Sequence, residues 1–292
     1  MYELIQVKGG SYYVSCPAKI GIVRINATDA VMIDSGSDKD AAKKALRHIE
    51  ENGWTLRAVL NTHSHADHIG GNAFIQSKTG CKIYAPDIEC DFTNHPVLEP
   101  SLLYGGNPPR SLRSKFLLAR ESIAEPFDIS STPFGLEVIP LYGHSFSMVG
   151  FRTQDGVAYL ADAVSSVETL DKYGIGYIYD VKAQLETLER LMQIQADFFV
   201  PSHACQTDDI TPLAQYNADK IKQTCSLITE LCGQSVGFDA LLKGVFEHYG
   251  LTMTAEQHAL IGSAVRSYLT YLTEEGSILS RIEDNTMLYQ RA

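Results

Sequence analysis

Residues 61 to 72 read NTHSHADHIGGN and place His63, His65, Asp67 and His68 within six positions, followed by Gly70 and Gly71. Imidazole nitrogens and carboxylate oxygens are the usual ligands of hydrolytic zinc. Four such groups from so short a segment would crowd one centre, so a pair of ions is the economical arrangement. His63 and His65, two apart on an extended loop, can point the same way, which leaves Asp67 and His68 for a second ion. Each ion still lacks ligands, and three strand-terminal residues can supply them. His144 in LYGHS, Asp162 in AYLAD and His203 in FFVPSH each close an apolar run. Ligands at the ends of rigid strands are held with more precision than ligands on free loops. A purely structural zinc favours cysteine and closes at four ligands, whereas this set of seven contains no cysteine.

The elements that must position these residues can be read from periodicity. Residues 2 to 33 alternate apolar and polar positions in SYYVS, IGIVRIN and AVMID, and so read as strands joined by hairpins. SDKDAAKKALRHIEENG carries Ala42, Ala45, Leu46 and Ile49 on one side and a glycine after it, the mark of an amphipathic helix. RAVLNT is a short buried strand running into the histidine turn, GGNAFIQSKTG a helix and CKIYAP a strand. Residues 87 to 134 break the rhythm with LLYGGNPP and a basic, helical-looking RSLRSKFLLARES, and read as an insertion or lid. Strands return in LEVIPLYG, in a hairpin turning at Gln154-Asp155-Gly156, and in ADFFVPSH. The helix DVKAQLETLERLMQI lies between the last two. These elements make up residues 1–207; residues 208–292 read as a mainly helical second part ending in a hairpin around Asp284-Asn285.

Composition bounds the function. With 45% apolar and 20% charged residues the chain is an ordinary globular one. It has no run of the ~18 apolar residues a membrane span needs, and its first residues lack the features of a secretory signal. A cytoplasmic location is the expectation. Cys16, Cys81, Cys90, Cys205, Cys225 and Cys232 are scattered without a C-x-x-C pair, so reduced thiols are expected. The formal net charge of -11 disfavours nucleic acid and anionic membrane surfaces as partners.

Taken together, THSHADH, GHS, the aspartate of LAD and the histidine of PSH, in this order, resemble the metallo-β-lactamase superfamily in its glyoxalase-II-like, dinuclear branch. The resemblance covers roughly residues 2 to 205. It implies an α+β fold, a four-layer αββα sandwich with the site at one edge of two packed sheets. It also implies that His63, His65 and His144 bind one metal, that Asp67, His68 and His203 bind the other, and that Asp162 bridges both. Zinc is the first choice of metal, with iron or manganese as alternatives. The implied reaction is hydrolysis of a small thioester, ester or lactone by a hydroxide that the two ions share, with Asp67 orienting it and accepting its proton. Two departures stand out. Gly143-His144-Ser145-Phe146-Ser147 replaces the frequent G-H-[ST]-P-G, and Ala204 and Cys205 follow His203 where glycine is common. Cys205 is expected to be a small buried hydrophobe.

Other histidines take plainer readings: His48, His248 and His258 as surface or satisfied residues, and His95, in the insertion beside Pro96, as a candidate substrate neighbour. Arg110, Arg113, Lys115 and Arg120 follow one another without an intervening acid, which suggests a lid steering an anionic substrate or, more simply, a solvated helix face. The tail, helix, helix and hairpin, resembles a winged helix-turn-helix module. From Val236 on, however, four basic residues face seven acidic ones, so it reads as a wall of the substrate pocket or a homodimer surface and not as a DNA reader. A nuclease of the same superfamily, an iron-dependent persulfide-type dioxygenase and a non-enzymatic regulator are the competing readings.

Overall fold

The computed structural model describes residues 2–130 and 133–292. Strands β1 (Leu4–Lys8), β2 (Ser11–Val14), β3 (Ile20–Arg24), β4 (Asp29–Ile33), β5 (Thr55–Leu60), β6 (Lys82–Pro86) and β7 (Ala124–Phe127) form a seven-stranded sheet in sequence order. Its first four strands are antiparallel hairpins, and β4 through β7 run parallel to one another. A second sheet has the order β11-β10-β9-β8, built from β8 (Glu137–Pro140), β9 (Val149–Arg152), β10 (Val157–Tyr159) and β11 (Phe198–Val200).

Alternation along the strands creates the layers. In β4, Val31 and Ile33 turn inward to meet Phe151, Val157 and Tyr159 of the second sheet, while Ala30 and Met32 turn outward. Outside the first sheet lie α1 (Lys39–Glu51) and α3 (Asn72–Thr79), whose Ala41, Ala42, Leu46, Ile49 and Ile75 pack on Ala30, Met32 and Ile83. Outside the second sheet, Ile139, Ala158 and Phe199 pack under α7 (Val181–Leu191) and α8 (Thr211–Leu231). Three buried clusters therefore separate four layers, helix, sheet, sheet and helix, as the resemblance implied.

The third cluster does not stop at α8. It continues into α9 (Phe238–His248) and α10 (Ala255–Glu274) through Leu241, Val245, Ile261, Val265 and Tyr268. These helices are followed by β13 (Ile278–Glu283) and β14 (Thr286–Arg291), which join at Asp284 and Asn285, both at positive φ as a tight hairpin of twisted strands requires. The short β12 (Val236–Gly237) pairs with β14.

Residues 87 to 134 are not a single insertion. They comprise α4 (Asp87–Asn94), α5 (Leu98–Tyr104), a 3-10 turn at Arg110–Arg113, and β7, which closes the first sheet at its edge. The run from 110 to 122 that read as helical forms that 3-10 turn and a second, isolated turn in which Leu117 N and Leu118 N donate to Ser114 O, not a helix. Leu112 is its buried anchor, packed with Leu103 and Ala259, while Phe116 one turn later is exposed. Residues 131 and 132 of this stretch lie outside the described residues. Two short helices also went unread: α2 (Ala66–Ile69), which is the histidine turn itself, and α6 (Val167–Tyr173). Among the described residues no helix is long and apolar enough to cross a membrane, and all six cysteines are free.

Candidate metal centre

Strand direction decides where the chemistry gathers. β4 and β5 are parallel, and β8, β10 and β11 all run the same way, because β9 is antiparallel to both β8 and β10 and β10 is parallel to β11. The segments leaving their C-terminal ends carry Asp34, His63 and His65, His144, Asp162, and His203. Asp67 and His68 sit on α2, the single helical turn that follows.

All seven side chains singled out from the sequence converge. His63, His65, His144 and Asp162 form one group that could hold a metal ion, and Asp67, His68, Asp162 and His203 form a second; within each group the ligand atoms lie within 4.8 Å of one another. Asp162 belongs to both. In the first group three imidazole nitrogens meet, His65 Nδ1 lying 3.1 Å from His63 Nε2 and 3.0 Å from His144 Nε2. In the second, His203 Nε2 lies 3.2 Å from Asp67 Oδ2 and 3.3 Å from Asp162 Oδ2.

The residues fit a cation on a direct observation. His68 Nε2 and Asp162 Oδ1 are buried and without a hydrogen-bond partner among the described residues, although they lie 3.1 Å apart. Buried polar atoms are rarely left so unless something else satisfies them. The electrostatics agree. Burial, with His68 and His65 nearby, holds His63 well below its usual range, and burial with His65 drives His144 down to about 3, so both rings are neutral and offer lone pairs. Asp162 raises His203 to about 10. Burial alone would lower His68, yet Asp162, Asp67 and Asp34 together carry it well above its usual range. Positive charge is thus drawn to the carboxylate-rich half. Burial alone would raise Asp67, but His68 and His203 hold it at about 2, so it is ionised.

Residues that the sequence reading missed hold this arrangement in place. Asp34, buried and left-handed at φ 59, accepts from Thr62 N at 2.8 Å, from Thr62 Oγ1 at 2.7 Å and from His68 Nδ1 at 2.8 Å. Because the Thr62 hydroxyl donates to Asp34, its oxygen accepts from His63 Nδ1 at 3.0 Å, which leaves the Nε2 lone pair of His63 facing inward. One carboxylate therefore sets the tautomers of two histidines. Glu89 on α4 is also buried. Its Oε2 accepts from Ser64 N and Oγ at 3.0 and 2.6 Å, and its Oε1 from Ser145 Oγ and Ser147 N at 2.7 and 3.0 Å. It ties the loop of His63 and His65 to the loop of His144. Glu99 on α5 lies 3.6 Å from His65 Nε2. Residues 87 to 134, read as an insertion or lid, thus present a carboxyl group to the cluster ahead of the basic run, in which Arg110, Arg113 and Arg120 are exposed and Lys115 pairs with Asp38.

Local backbone demands explain the glycines. A Cβ on Gly71 would sit 2.4 Å from Ser35 O, and one on Gly70 2.3 Å from Ser37 O, so the pair lets α2 press against the segment after β4. Gly143 has φ +121, and a Cβ there would sit 2.3 Å from Gln184 N. The turn that lacks the frequent proline is built instead by Gly143 O accepting from Tyr179 N and Asp180 N. The other four histidines stay outside the cluster: His48 bonds the Tyr2 carbonyl at 2.8 Å, and His95, His248 and His258 are exposed. Cys205, expected to be buried, is exposed, because the chain leaves the core after Ala204, and it belongs to neither group.

Known proteins share this frame. Residues 15–203 match the family described as the metallo-beta-lactamase superfamily. A hydroxyacylglutathione hydrolase from Rhodospirillum rubrum is 44% identical over 64 residues, 22% of this chain and 24% of that protein. One from Methylococcus capsulatus is 44% identical over 46 residues, 16% of this chain and 18% of that protein. The aligned stretches thus span a quarter or less of these relatives' lengths. Among solved structures, a beta-lactamase domain protein from Burkholderia ambifaria superposes with a TM-score of 0.77 at 15% identity, covering 99% of this chain and 95% of that one. A metallo-beta-lactamase family protein from Thermus thermophilus gives 0.73 at 18% identity, covering 97% and 99%. These two show the fold. With the family match spanning well over half of the sequence, from β3 through β11 with α1, α3 and α7, the chain belongs to the metallo-beta-lactamase superfamily.

Proposed function

We propose that the protein is a metal-dependent hydrolase acting on a small thioester, ester or lactone. The observation that carries this reading is the pair of side-chain groups that share Asp162. His63, His65 and His144 would hold one divalent ion, Asp67, His68 and His203 a second, with Asp162 reaching both; zinc suits this mixture of imidazole and carboxylate. Such ions, when bound, supply Lewis acidity, activating water near neutral pH and polarising the oxygen under attack. Asp67, ionised and the more exposed of the two carboxylates, takes up the proton released by the attacking water. Asp34 keeps His63 and His68 in the tautomers that ligation needs, and Glu89 keeps the two histidine loops in register. The short stretches shared with hydroxyacylglutathione hydrolases, named for a thioester, support the acyl-transfer reading over phosphodiester cleavage. The test is metal content together with hydrolysis of a panel of thioesters, esters, lactones and phosphodiesters. Two zinc ions per chain and metal-dependent acyl cleavage that Asp67→Asn depresses at least ~100-fold is the expected result. About one iron per chain with oxygen uptake on a persulfide, or cleavage of phosphodiesters alone, would overturn it.

A further inference from the structure

Beside the cluster a cleft of about 290 Å³ opens between the α6 segment and α10, with His203 in its lining. Its apolar lining is Leu170, Tyr173, Ile175, Tyr177, Leu260 and Ile261, and among the described residues no Lys, Arg, Asp or Glu lines it. Leu170, Ile175 and Ile261 are buried, so the inner end is anchored in the core, while Tyr173 is exposed at the mouth. The Tyr177 ring stands edge-on to both His65 and His144, with centroids 5.4 and 5.7 Å away, and so joins the cleft to the cluster. On the far side of His65 lies a buried carboxyl group, Glu99 of α5, 3.6 Å from His65 Nε2.

Away from His203, the cleft walls carry no charged side chain among the described residues, so along its length it selects by shape and apolar area. An anionic group lying along those walls would find no counter-charge beside it and would lose its hydration. We infer that this cleft is an acyl-chain site: the substrate's acyl group is apolar, of medium length, and lies along Leu260 and Ile261 of α10 with its carbonyl directed at the cluster. The inference rests on the hydrolase reading and deepens it by naming the class of acyl group.

The test uses the full chain in two measurements. With zinc-loaded protein and N-acetylcysteamine thioesters from acetyl to decanoyl, kcat/KM rises about fourfold per methylene until the cleft is filled, following the transfer free energy of a methylene. Leu260→Trp, which fills the cleft, flattens the ratio of octanoyl to acetyl rates. With metal-free protein, octanamide raises the melting temperature of the wild type and not that of the variant. A flat or falling chain-length series with activity on every thioester overturns the inference and leaves the hydrolase reading standing. Should no thioester be cleaved, the hydrolase reading is decided by the ester and lactone members of its own panel, and octanamide alone decides the cleft: a shift that Leu260→Trp abolishes supports it, and no shift in the wild type overturns it.

Discussion

Replacing Glu89 by alanine tests the idea that a buried carboxylate outside the cluster fixes the distance between two of its loops. Glu89 accepts from four donors, and two of them, Ser64 N and Ser147 N, are peptide groups that cannot rotate to another partner. The Ser64 and Ser145 hydroxyls can turn away. An orphaned buried N–H costs ~1–3 kcal/mol, so the pair costs about 4 kcal/mol. Removing a buried charge returns part of that, leaving a net loss of about 3 kcal/mol. At ~2 °C per kcal/mol for a chain of this size, the melting temperature falls by roughly 6 °C. The larger effect falls on metal binding. Ser64 lies between His63 and His65, and Ser145 adjoins His144, so the three-histidine group loses its alignment first, with affinity falling ~10–100-fold as for other supports of ligating residues. Competition with a chromophoric zinc chelator resolves the two binding events; one weakens and the other stays within about threefold. Glu89→Gln, which keeps the shape and one acceptor, falls between. A variant with unchanged melting temperature and two unchanged zinc affinities would show that Glu89 holds neither loop.

Other perturbations follow from the same geometry. Asp34→Asn removes the carboxylate behind His63 and His68 and weakens zinc binding by ~10–100-fold at the second group, again read by chelator competition. Gly143→Ala drives a methyl into the backbone of α7 at a positive φ; a destabilisation of about 2–3 kcal/mol in urea unfolding, with His144 displaced and activity lost, is the expected outcome. Stripping the protein with a chelator abolishes hydrolysis, and returning zinc to 100 times its Kd restores it while adding ~2.7 kcal/mol of stability in thermal unfolding. In the metal-free protein His203 is raised to about 10 and His68 also lies well above its usual range, so both hold protons at neutral pH. Zinc must displace them. Binding therefore releases protons between about pH 7 and 9, and apparent affinity rises with pH in that window; calorimetry in buffers of different ionisation enthalpy would show a heat that changes with the buffer.

Much of this centre was legible because ligand chemistry is local and strand ends announce themselves. The spacing of His63 to His68 and the apolar runs before His144, Asp162 and His203 were enough to bring seven residues together. Asp34, Glu89 and Glu99 were not, since their roles exist only once distant segments are folded against one another. Glu89 lies 25 and 56 residues from Ser64 and Ser145. Asp34 carried one signal, an acid closing the strand AVMID beside the histidine strand. β7 was hidden by its brevity and by Pro126, which the ladder tolerates at a sheet edge. α6 could have been found, because Ser166 caps its start and Gly174 at φ 69 ends it. The false helix after Arg110 shows the opposite failure: leucine spacing alone built a pattern to which the fold gives one fully buried anchor, Leu112, with Leu117 only partly buried beside it.

Gln257, Leu260 and Ile261 stand one turn apart on α10, on the side that walls the cleft, while Val265, Tyr268 and Leu269 of the same helix lock into the layer beneath the second sheet. A single rod thus serves as both foundation and caliper. Selectivity in such a molecule would be retuned by exchanging the half-buried Gln257 and Leu260 on that one turn, whereas swapping in another protein's tail would put the footing of the whole sandwich at risk.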